Sequence, residues 1–204
     1  MQSIRCYTSY FLNYRDVEEL LEERGVALDH ATVNRWVVKY SLLLELKFCK
    51  HKKKIGSSWR MNETYIKIKG SWVYYYRAVD TDNQIIDFYL SEKRDTKAAC
   101  SFFTKAIGSN GLPDKVNLAG LQAINQGLPE DRRIMVRQIK YLNNLIEQEH
   151  RPIKQITRPM LEFKAFTSAV ATLAGIELQR MLKKGQGILN SYLPAWKQFY
   201  ALAG

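Results

Sequence analysis

The hydrophobic pattern of this chain changes its period near residue 58, and that change restricts the chain to a mixed α/β fold. Upstream, apolar residues recur every three to four positions, which is typical of amphipathic helices. Downstream, they alternate with polar residues over three short segments, 59–67, 72–79 and 85–90. Gly70 and the pair Asp82–Asn83 are turn residues between these segments. The pattern therefore predicts three strands in an antiparallel meander that follows a helical region.

The helical region predicts a helix-turn-helix. Two of its helices are expected over residues 14–24 and 30–40. Asn13 and Asp29 are suitable N-caps for them, because a short polar side chain can accept a hydrogen bond from a free backbone N–H of the first turn. Gly25 suits the turn between them, where a positive φ is common.

The outer face of the second of these helices is the predicted DNA-reading surface. Val33, Trp36 and Val37 are expected on its inner, buried face. The side chains on the other side can reach base edges and phosphates in a major groove, and they are Thr32, Asn34, Arg35 and Lys39. The alternative is a plain helical hairpin with a solvated polar face.

The charge balance favours a polyanionic partner. The 204 residues include 31 Lys and Arg against 20 Asp and Glu, which gives a formal net charge of +11. Nucleic acid is the first candidate for such a partner. Part of the surplus lies in a basic connector over residues 47–58, where Lys52, Lys53 and Lys54 are candidate phosphate contacts.

Several other classes of protein are not supported. The three cysteines include no Cys-x-x-Cys pair, and the half-site Cys49-x-His51 lacks a second pair of metal ligands. No apolar run approaches the ~18 residues that span a bilayer, and the first residues lack the apolar core of a signal peptide. These observations predict a cytoplasmic protein without a membrane partner.

After the meander, predicted helices and strands alternate. They are a helix over 95–107, a short helix over 118–126, a strand over 134–139, and helices over 142–154 and 163–184. This order of elements is that of a ribonuclease H-like domain. The predicted regions are a helix-turn-helix (1–45), a basic linker (46–58), a ribonuclease H-like core (59–158) and a C-terminal helical region (159–204).

Five segments closely resemble the short bacterial insertion-sequence transposases of the DDE class, in the order in which that family has them. They are Tyr14–Leu21, His30–Tyr40, Trp59–Gly70, Tyr76–Asp80 and Lys140–Arg151. The last is the most specific. The resemblance implies a metal-dependent DNA strand transferase in which three carboxylates on a ribonuclease H-like sheet hold two Mg²⁺ ions. It also implies terminal inverted repeats as the DNA partner, homo-oligomers or mixed oligomers with intact relatives, and a bacterial, nucleoid-associated location.

The chain departs from the family at its acidic residues. Asn62 stands where the family has its first aspartate, and Glu147 matches the third acid and is the remaining metal ligand. About seven residues that would include the second aspartate are missing between Val116 and Asn117. Asp114 is a poor substitute, because the preceding Gly111-Leu-Pro113 cannot be a buried central strand.

These departures lead to two expectations. Without the missing residues the sheet should have four strands, with 134–139 pairing directly with the strand that holds Asn62 and 112–117 forming a loop. The chain also begins within the segment that matches the family's first helix, which predicts a shortened helix-turn-helix. The expected function is that of a transposase-family protein that has lost catalysis and retains at most DNA binding. The alternatives are a functional transposase and a non-enzymatic DNA-binding regulator of related elements.

Overall fold

The computed structural model describes residues 1–118, 135–137 and 143–204, with side chains at all of these positions except 118, 136, 137 and 143–147. The backbone forms two compact units. Unit 1 contains residues 1–53, 68–70 and 152–204, and unit 2 contains residues 54–67 and 71–151. The helix predicted over 118–126 lies, apart from residue 118, outside the described residues.

The described elements follow the predicted order except for one additional strand, Lys115–Leu118. In the first half of the chain they are α1 (Gln2–Ser9), α2 (Tyr14–Glu22), α3 (His30–Cys49), β1 (Ser58–Ile68), β2 (Ser71–Asp80), β3 (Ile85–Ser91) and α4 (Thr96–Asn110). In the second half they are β4 (Lys115–Leu118), β5 (Met135–Arg137), α5 (Asn143–Thr157), a 3₁₀ turn (Arg158–Met160), α6 (Phe166–Lys183) and α7 (Ala195–Ala201).

The predicted caps of α2 and α3 are confirmed. The Asn13 side chain accepts from the backbone N–H groups of Arg15 and Asp16, and the Asp16 carboxylate accepts from the backbone N–H of Asn13 at 2.7 Å. The Asp29 carboxylate accepts from the backbone N–H of Thr32 at 2.8 Å. Gly25 follows α2 with a φ of +75°. Each cap satisfies a backbone donor that a helix end leaves free.

Helix α3 differs from its prediction in length and in its buried face. It continues to Cys49, because its buried stripe continues through Leu44 and Phe48. Trp36 is 36% exposed and does not lie on the inner face, so that part of the prediction is wrong. Val33 and Val37 already occupy the inner face at helical spacing, and Trp36 lies to one side of that stripe.

Gly175 allows α6 to pack closely against α1 and α3 within unit 1. A Cβ atom at this position would lie 2.6 Å from Cγ2 of Thr8 and 2.9 Å from Oγ of Ser41. We expect Gly175→Ala to lower the free energy of unfolding by about 1–3 kcal/mol in urea denaturation, because α6 must then move away from α1 and α3. The control is Gly108→Ala in α4, where nothing lies within 4 Å of an added Cβ. Gly108→Ala should instead stabilise by about 0.5–1 kcal/mol, and an equal response at both sites would contradict the packing argument.

The sheet of unit 2 has the strand order β3-β2-β1-β4-β5. Strands β2 and β3 are antiparallel, and β4 is parallel to both β1 and β5. Lys69 and Gly70 both have positive φ in the tight turn that joins β1 to β2. One face of the sheet packs on α4 through a core that includes Trp59, Met61, Tyr76, Phe102 and Val116.

The predicted four-stranded sheet is wrong. Residues 115–118 form a fourth strand, β4, beside β1, with Trp59 paired to Val116 and Arg60 to Asn117. Strand β5 pairs with β4 and not with β1. Asn117 and the residue after it extend Val116 into a strand, which satisfies backbone groups of β1 that a gap would leave unpaired. Within the described residues β4 has four residues and β5 has three, and the order β3-β2-β1-β4-β5 is continuous.

Candidate active site and DNA-binding surface

The face of the sheet opposite α4 carries the residues of the candidate active site. Residues alternate between the two faces along a strand, so Asn62 on β1 points away from the side of Trp59 and Met61, which pack on α4. On β2, Tyr75 and Arg77 are likewise on the side opposite Tyr76. We call this side the α5 face, because side chains of α5 contact Tyr75 and Arg77 there.

Asn62 lies in β1, within the strand predicted over residues 59–67, and its side chain is half-buried. Its side-chain Oδ1 accepts a hydrogen bond from the backbone N–H of Glu63 at 2.8 Å. The amide oxygen of Asn62 is thus already held by its own strand. An amide also lacks the negative charge and the second anionic oxygen of an aspartate.

Glu63 points to the other face and is engaged there. Its carboxylate forms an ion pair with Arg94. That carboxylate raises the pKa of the Arg94 guanidinium. Burial, with a smaller effect of the Glu63 charge, raises the pKa of Tyr76 to about 12. Since Tyr76 belongs to the core beneath α4, these contacts place Glu63 on the side of the sheet opposite Asn62.

The parallel neighbour of β1 contributes no carboxylate. Strand β4 reads Lys-Val-Asn-Leu, and the sequence contains no Asp or Glu between residues 115 and 129. Asp114 is exposed and precedes β4, at the amino end of the strand, where its backbone N–H donates to the carbonyl of Ser57 at 2.9 Å. Its side chain is therefore not at the carboxyl end of the strand, where ligands bind in open α/β sheets.

Helix α5 carries Glu147, whose backbone is described and whose side chain is not. The residues that follow hold this helix on the sheet. The Glu149 carboxylate accepts from Nη1 of Arg77 at 3.1 Å and from Nδ2 of Asn83 at 2.7 Å. His150 is buried and its ring lies edge-on to Tyr75, with ring centroids 6.4 Å apart. Glu149 and His150 thus pack α5 against the sheet.

Sequence reasoning missed Arg77 and Asp80, which shape this side of unit 2. Arg77 is fully buried, although it is charged at every accessible pH. Asp80 is 1% exposed, and its carboxylate accepts from the backbone N–H groups of Gly56, Asp82 and Gln84. The available signal was a charged residue within an otherwise apolar strand, which implies a buried partner.

The predicted DNA-reading residues of α3 lie in two environments. Arg35 and Lys39 are exposed, and Nη2 of Arg35 donates to Oγ1 of Thr32 at 2.6 Å. Thr32 and Asn34 are half-buried, and Oδ1 of Asn34 accepts from the Tyr14 hydroxyl at 3.1 Å. Arg35 and Lys39 therefore carry the charge of this surface, whereas Asn34 also links α3 to α2.

The backbone of the predicted connector is hydrogen-bonded to residues 186–187. Lys52 pairs with Gly187 in an isolated antiparallel bridge, and the backbone N–H of Lys53 donates to the carbonyl of Gln186 at 2.7 Å. Lys53 and Lys54 are exposed and Lys52 is half-buried.

The described side chains contain no group of three or more His, Cys, Asp and Glu residues that could hold a metal ion. No helix in the described ranges is long and apolar enough to cross a membrane.

The mixed sheet with flanking helices is of the integrase catalytic-core type. The HTLV-2 integrase catalytic core domain, solved in complex with magnesium, matches 72% of this chain and 98% of its own at a TM-score of 0.50 and 18% identity. That likeness concerns the fold alone.

Sequence similarity identifies the family. A family model for a DDE domain, DDE_Tnp_IS240, matches residues 56–186. The transposase for the insertion sequence-like element IS431mec of Staphylococcus aureus is 39% identical over 205 residues, which cover 93% of this chain and 87% of that protein. The transposase for insertion sequence element IS257 in transposon Tn4003 of the same species gives the same values. The chain belongs to the DDE transposase family of bacterial insertion sequences.

Proposed function

We propose that this chain is a transposase-family DNA-binding protein that does not carry out strand transfer. The observation that supports the loss of catalysis is the set of side chains at the acidic positions. Asn62 is an amide held by the backbone of Glu63, β4 has no carboxylate, and Glu147 remains as the single acid. Two divalent cations need several anionic oxygens, so this donor set does not fit the Mg²⁺ pair of the family.

The proposal is tested by a nicking assay on DNA that carries the terminal inverted repeats of the insertion sequence. We expect no cleavage by the unaltered chain with Mg²⁺ or Mn²⁺, because phosphoryl transfer depends on metal ions that carboxylates hold in place. Asn62→Asp alone should not restore cleavage, since the second acid is still missing. The staphylococcal IS431mec transposase on its own ends is the positive control. Metal-dependent nicking by the unaltered chain would show a functional transposase instead.

The proposed DNA binding rests on Arg35 and Lys39 of α3 and on Lys52, Lys53 and Lys54. Arg35→Ala should weaken binding to the terminal repeat by roughly 1–3 kcal/mol if it contacts guanine, with less effect on unrelated DNA. Replacing the three lysines by Gln should weaken binding to all sequences alike and flatten the dependence of log K on log salt.

Titration by fluorescence anisotropy at several salt concentrations measures both effects. Lys97→Gln on α4, an exposed lysine outside the proposed surface, is the control for a general loss of charge. An affinity that is equal at low and high salt would refute the electrostatic proposal. Binding that depends on salt but not on Arg35 would mean that phosphate contacts supply all of the affinity. That result would contradict the reading of DNA sequence by α3.

The proposed partners and location follow from this function. DNA in the bacterial cytoplasm, at the nucleoid, is the proposed target. Homo-oligomers or mixed oligomers with intact relatives remain a prediction, which sedimentation of the purified chain with and without a relative would test. A regulator of related elements would act through such mixed oligomers.

A further inference from the structure

A cavity in unit 1 lies between the end of α3, the end of α6 and α7. Its floor consists of buried residues, which are Phe48, Leu182, Gly187 and Gln198, and Leu189 lies at its rim. All of them belong to unit 1. The cavity holds about 70 Å³, and a water molecule needs at least roughly 10–15 Å³ of such space. It therefore has room for one side chain of a ligand.

The floor of the cavity contains a hydrogen-bond acceptor that lacks a donor. Nε2 of Gln198 donates to the carbonyl of Leu193 at 2.6 Å, which fixes the orientation of the side-chain amide. Oε1 of Gln198 is buried and has no hydrogen-bond donor among the described residues. A buried oxygen without a donor costs free energy, so the cavity favours a ligand that brings an O–H or N–H group to its floor.

The rim of the cavity favours a negatively charged ligand. Lys47 and His51 line the cavity and are exposed, and none of its described lining residues is acidic. Lys47 supplies a positive charge, and His51 supplies a second one when it binds a proton. Carboxylates next to the group that enters the cavity would therefore be attracted to the rim.

Exposed apolar side chains lie close to the rim. Leu43 is one helical turn before Lys47 on α3, and Leu46 directly precedes Lys47. Leu189 lines the cavity and Ile188 precedes it. These four apolar side chains are all more than half exposed. A peptide segment of a partner would cover part of this apolar surface, whereas a small molecule that only filled the cavity would leave it in water.

We propose that the cavity binds the tyrosine side chain of a partner protein in which acidic residues flank that tyrosine. The phenol ring packs on Phe48 and Leu182, and its hydroxyl donates to Oε1 of Gln198. The flanking carboxylates lie against Lys47 and His51. The proposal is independent of the proposed DNA binding and of the loss of catalysis, because none of these residues belongs to either surface.

The test uses the full chain and three fluorescein-labelled peptides. The first peptide is Glu-Glu-Tyr-Glu-Glu, the second has Phe in place of Tyr, and the third has Lys in place of every Glu. We expect the first peptide to bind about tenfold more tightly than the second in fluorescence anisotropy, because Phe has no hydroxyl for Gln198. It should also bind more tightly than the third, since Lys47 repels a basic peptide.

Gly187→Ala tests whether the peptide occupies the floor of the cavity. The added Cβ would lie 3.1 Å from Cε2 of Phe48 and 3.3 Å from Oε1 of Gln198, so it blocks the floor without a change of charge. The φ of Gly187 is not positive, and alanine can adopt its backbone conformation. We expect binding of the first peptide to weaken about tenfold or more.

Lys47→Glu tests the charge at the rim and does not alter the interior. Its matched control is Lys50→Glu, because Lys50 is also exposed and follows α3 but does not line the cavity. We expect Lys47→Glu to weaken binding of the first peptide about tenfold, and Lys50→Glu to weaken it less than about threefold. If Gly187→Ala does not fold, as judged by circular dichroism, the comparison of these two variants decides the location.

Several results would overturn the proposal. They are equal binding of the Tyr and Phe peptides, equal effects of Lys47→Glu and Lys50→Glu, binding that a folded Gly187→Ala variant leaves unchanged, and no binding of the first peptide by the unaltered chain. Sedimentation of the unaltered chain tests a second copy as the occupant. A dimer that Tyr192→Ala abolishes would mean that the exposed Tyr192 of another copy fills the cavity, and that result would also contradict an acidic partner.

Discussion

Replacing Arg77 by Met should destabilise unit 2 by about 3–5 kcal/mol. Arg77 is fully buried, and its Nη1 donates to both the carboxylate and the backbone carbonyl of Glu149, at 3.1 and 3.2 Å. The Glu149 side chain is 13% exposed, so removing the guanidinium would leave a largely buried carboxylate without its cation. Urea denaturation followed by circular dichroism measures the loss.

Two further variants test whether the loss of stability comes from breaking a buried ion pair. Arg94→Met breaks the ion pair with Glu63, in which Arg94 is 59% exposed, and should cost less than about 1 kcal/mol. Arg77→Met combined with Glu149→Gln should recover much of the stability, because Gln keeps an oxygen for Asn83 but carries no charge. An Arg77→Met variant that is no less stable than Arg94→Met would contradict the buried-pair argument.

The Arg77–Glu149 pair links α5 to the sheet of unit 2. Glu149 is two residues from Glu147 on the same helix, and its carboxylate is bound to β2 and to Asn83 in the turn after β2. Glu149 is therefore held on the α5 face by protein contacts alone. These contacts do not depend on a carboxylate at position 62 or on β4.

The sequence predicted most of the helices and strands of this fold because their apolar periodicity is long and regular. The three strands of the meander lie within one or two residues of their predicted bounds. The caps and turns were predictable for a different reason, because Asn13, Asp29 and Gly70 each satisfy a local backbone requirement. Local rules of this kind need no knowledge of the rest of the chain.

The failures concern contacts between residues that are distant in sequence. Strand β4 has four residues, and of these Val116 is the only β-branched one, so no local pattern marks it. Its pairing with residues 58–61 decides its conformation. The partner of Arg77 is Glu149, 72 positions away, which the sequence cannot specify even where it signals that a partner must exist. For the acidic positions, the sequence predicted Asn62 and Glu147 from motifs, which are local in the chain.

Raising the pH above 10 should unfold unit 1 through its buried tyrosines. Tyr7 is 2% exposed, and its ring stacks on Tyr14 with the centroids 3.9 Å apart. Burial, with a further effect of the neighbouring Tyr14, raises the pKa of Tyr7 far above its usual value, and burial also raises the pKa of Tyr14. In the unfolded chain both hydroxyls would lose their protons near pH 10, as in model peptides.

The sign of the effect follows from proton binding. Above pH 10 the unfolded state binds fewer protons than the folded state, so the free energy of unfolding falls as the pH rises. The stability is fully present below pH 10, and Tyr7 alone should remove about 1.4 kcal/mol for each further pH unit. Unfolding curves in urea at pH 9, 10, 11 and 12 measure this slope, and Tyr7→Phe should reduce it because Phe has no hydroxyl to ionise. Tyr192→Phe is the matched control, since Tyr192 is 83% exposed. If Tyr7→Phe and Tyr192→Phe change the slope equally, the burial of Tyr7 is not the cause of alkaline unfolding.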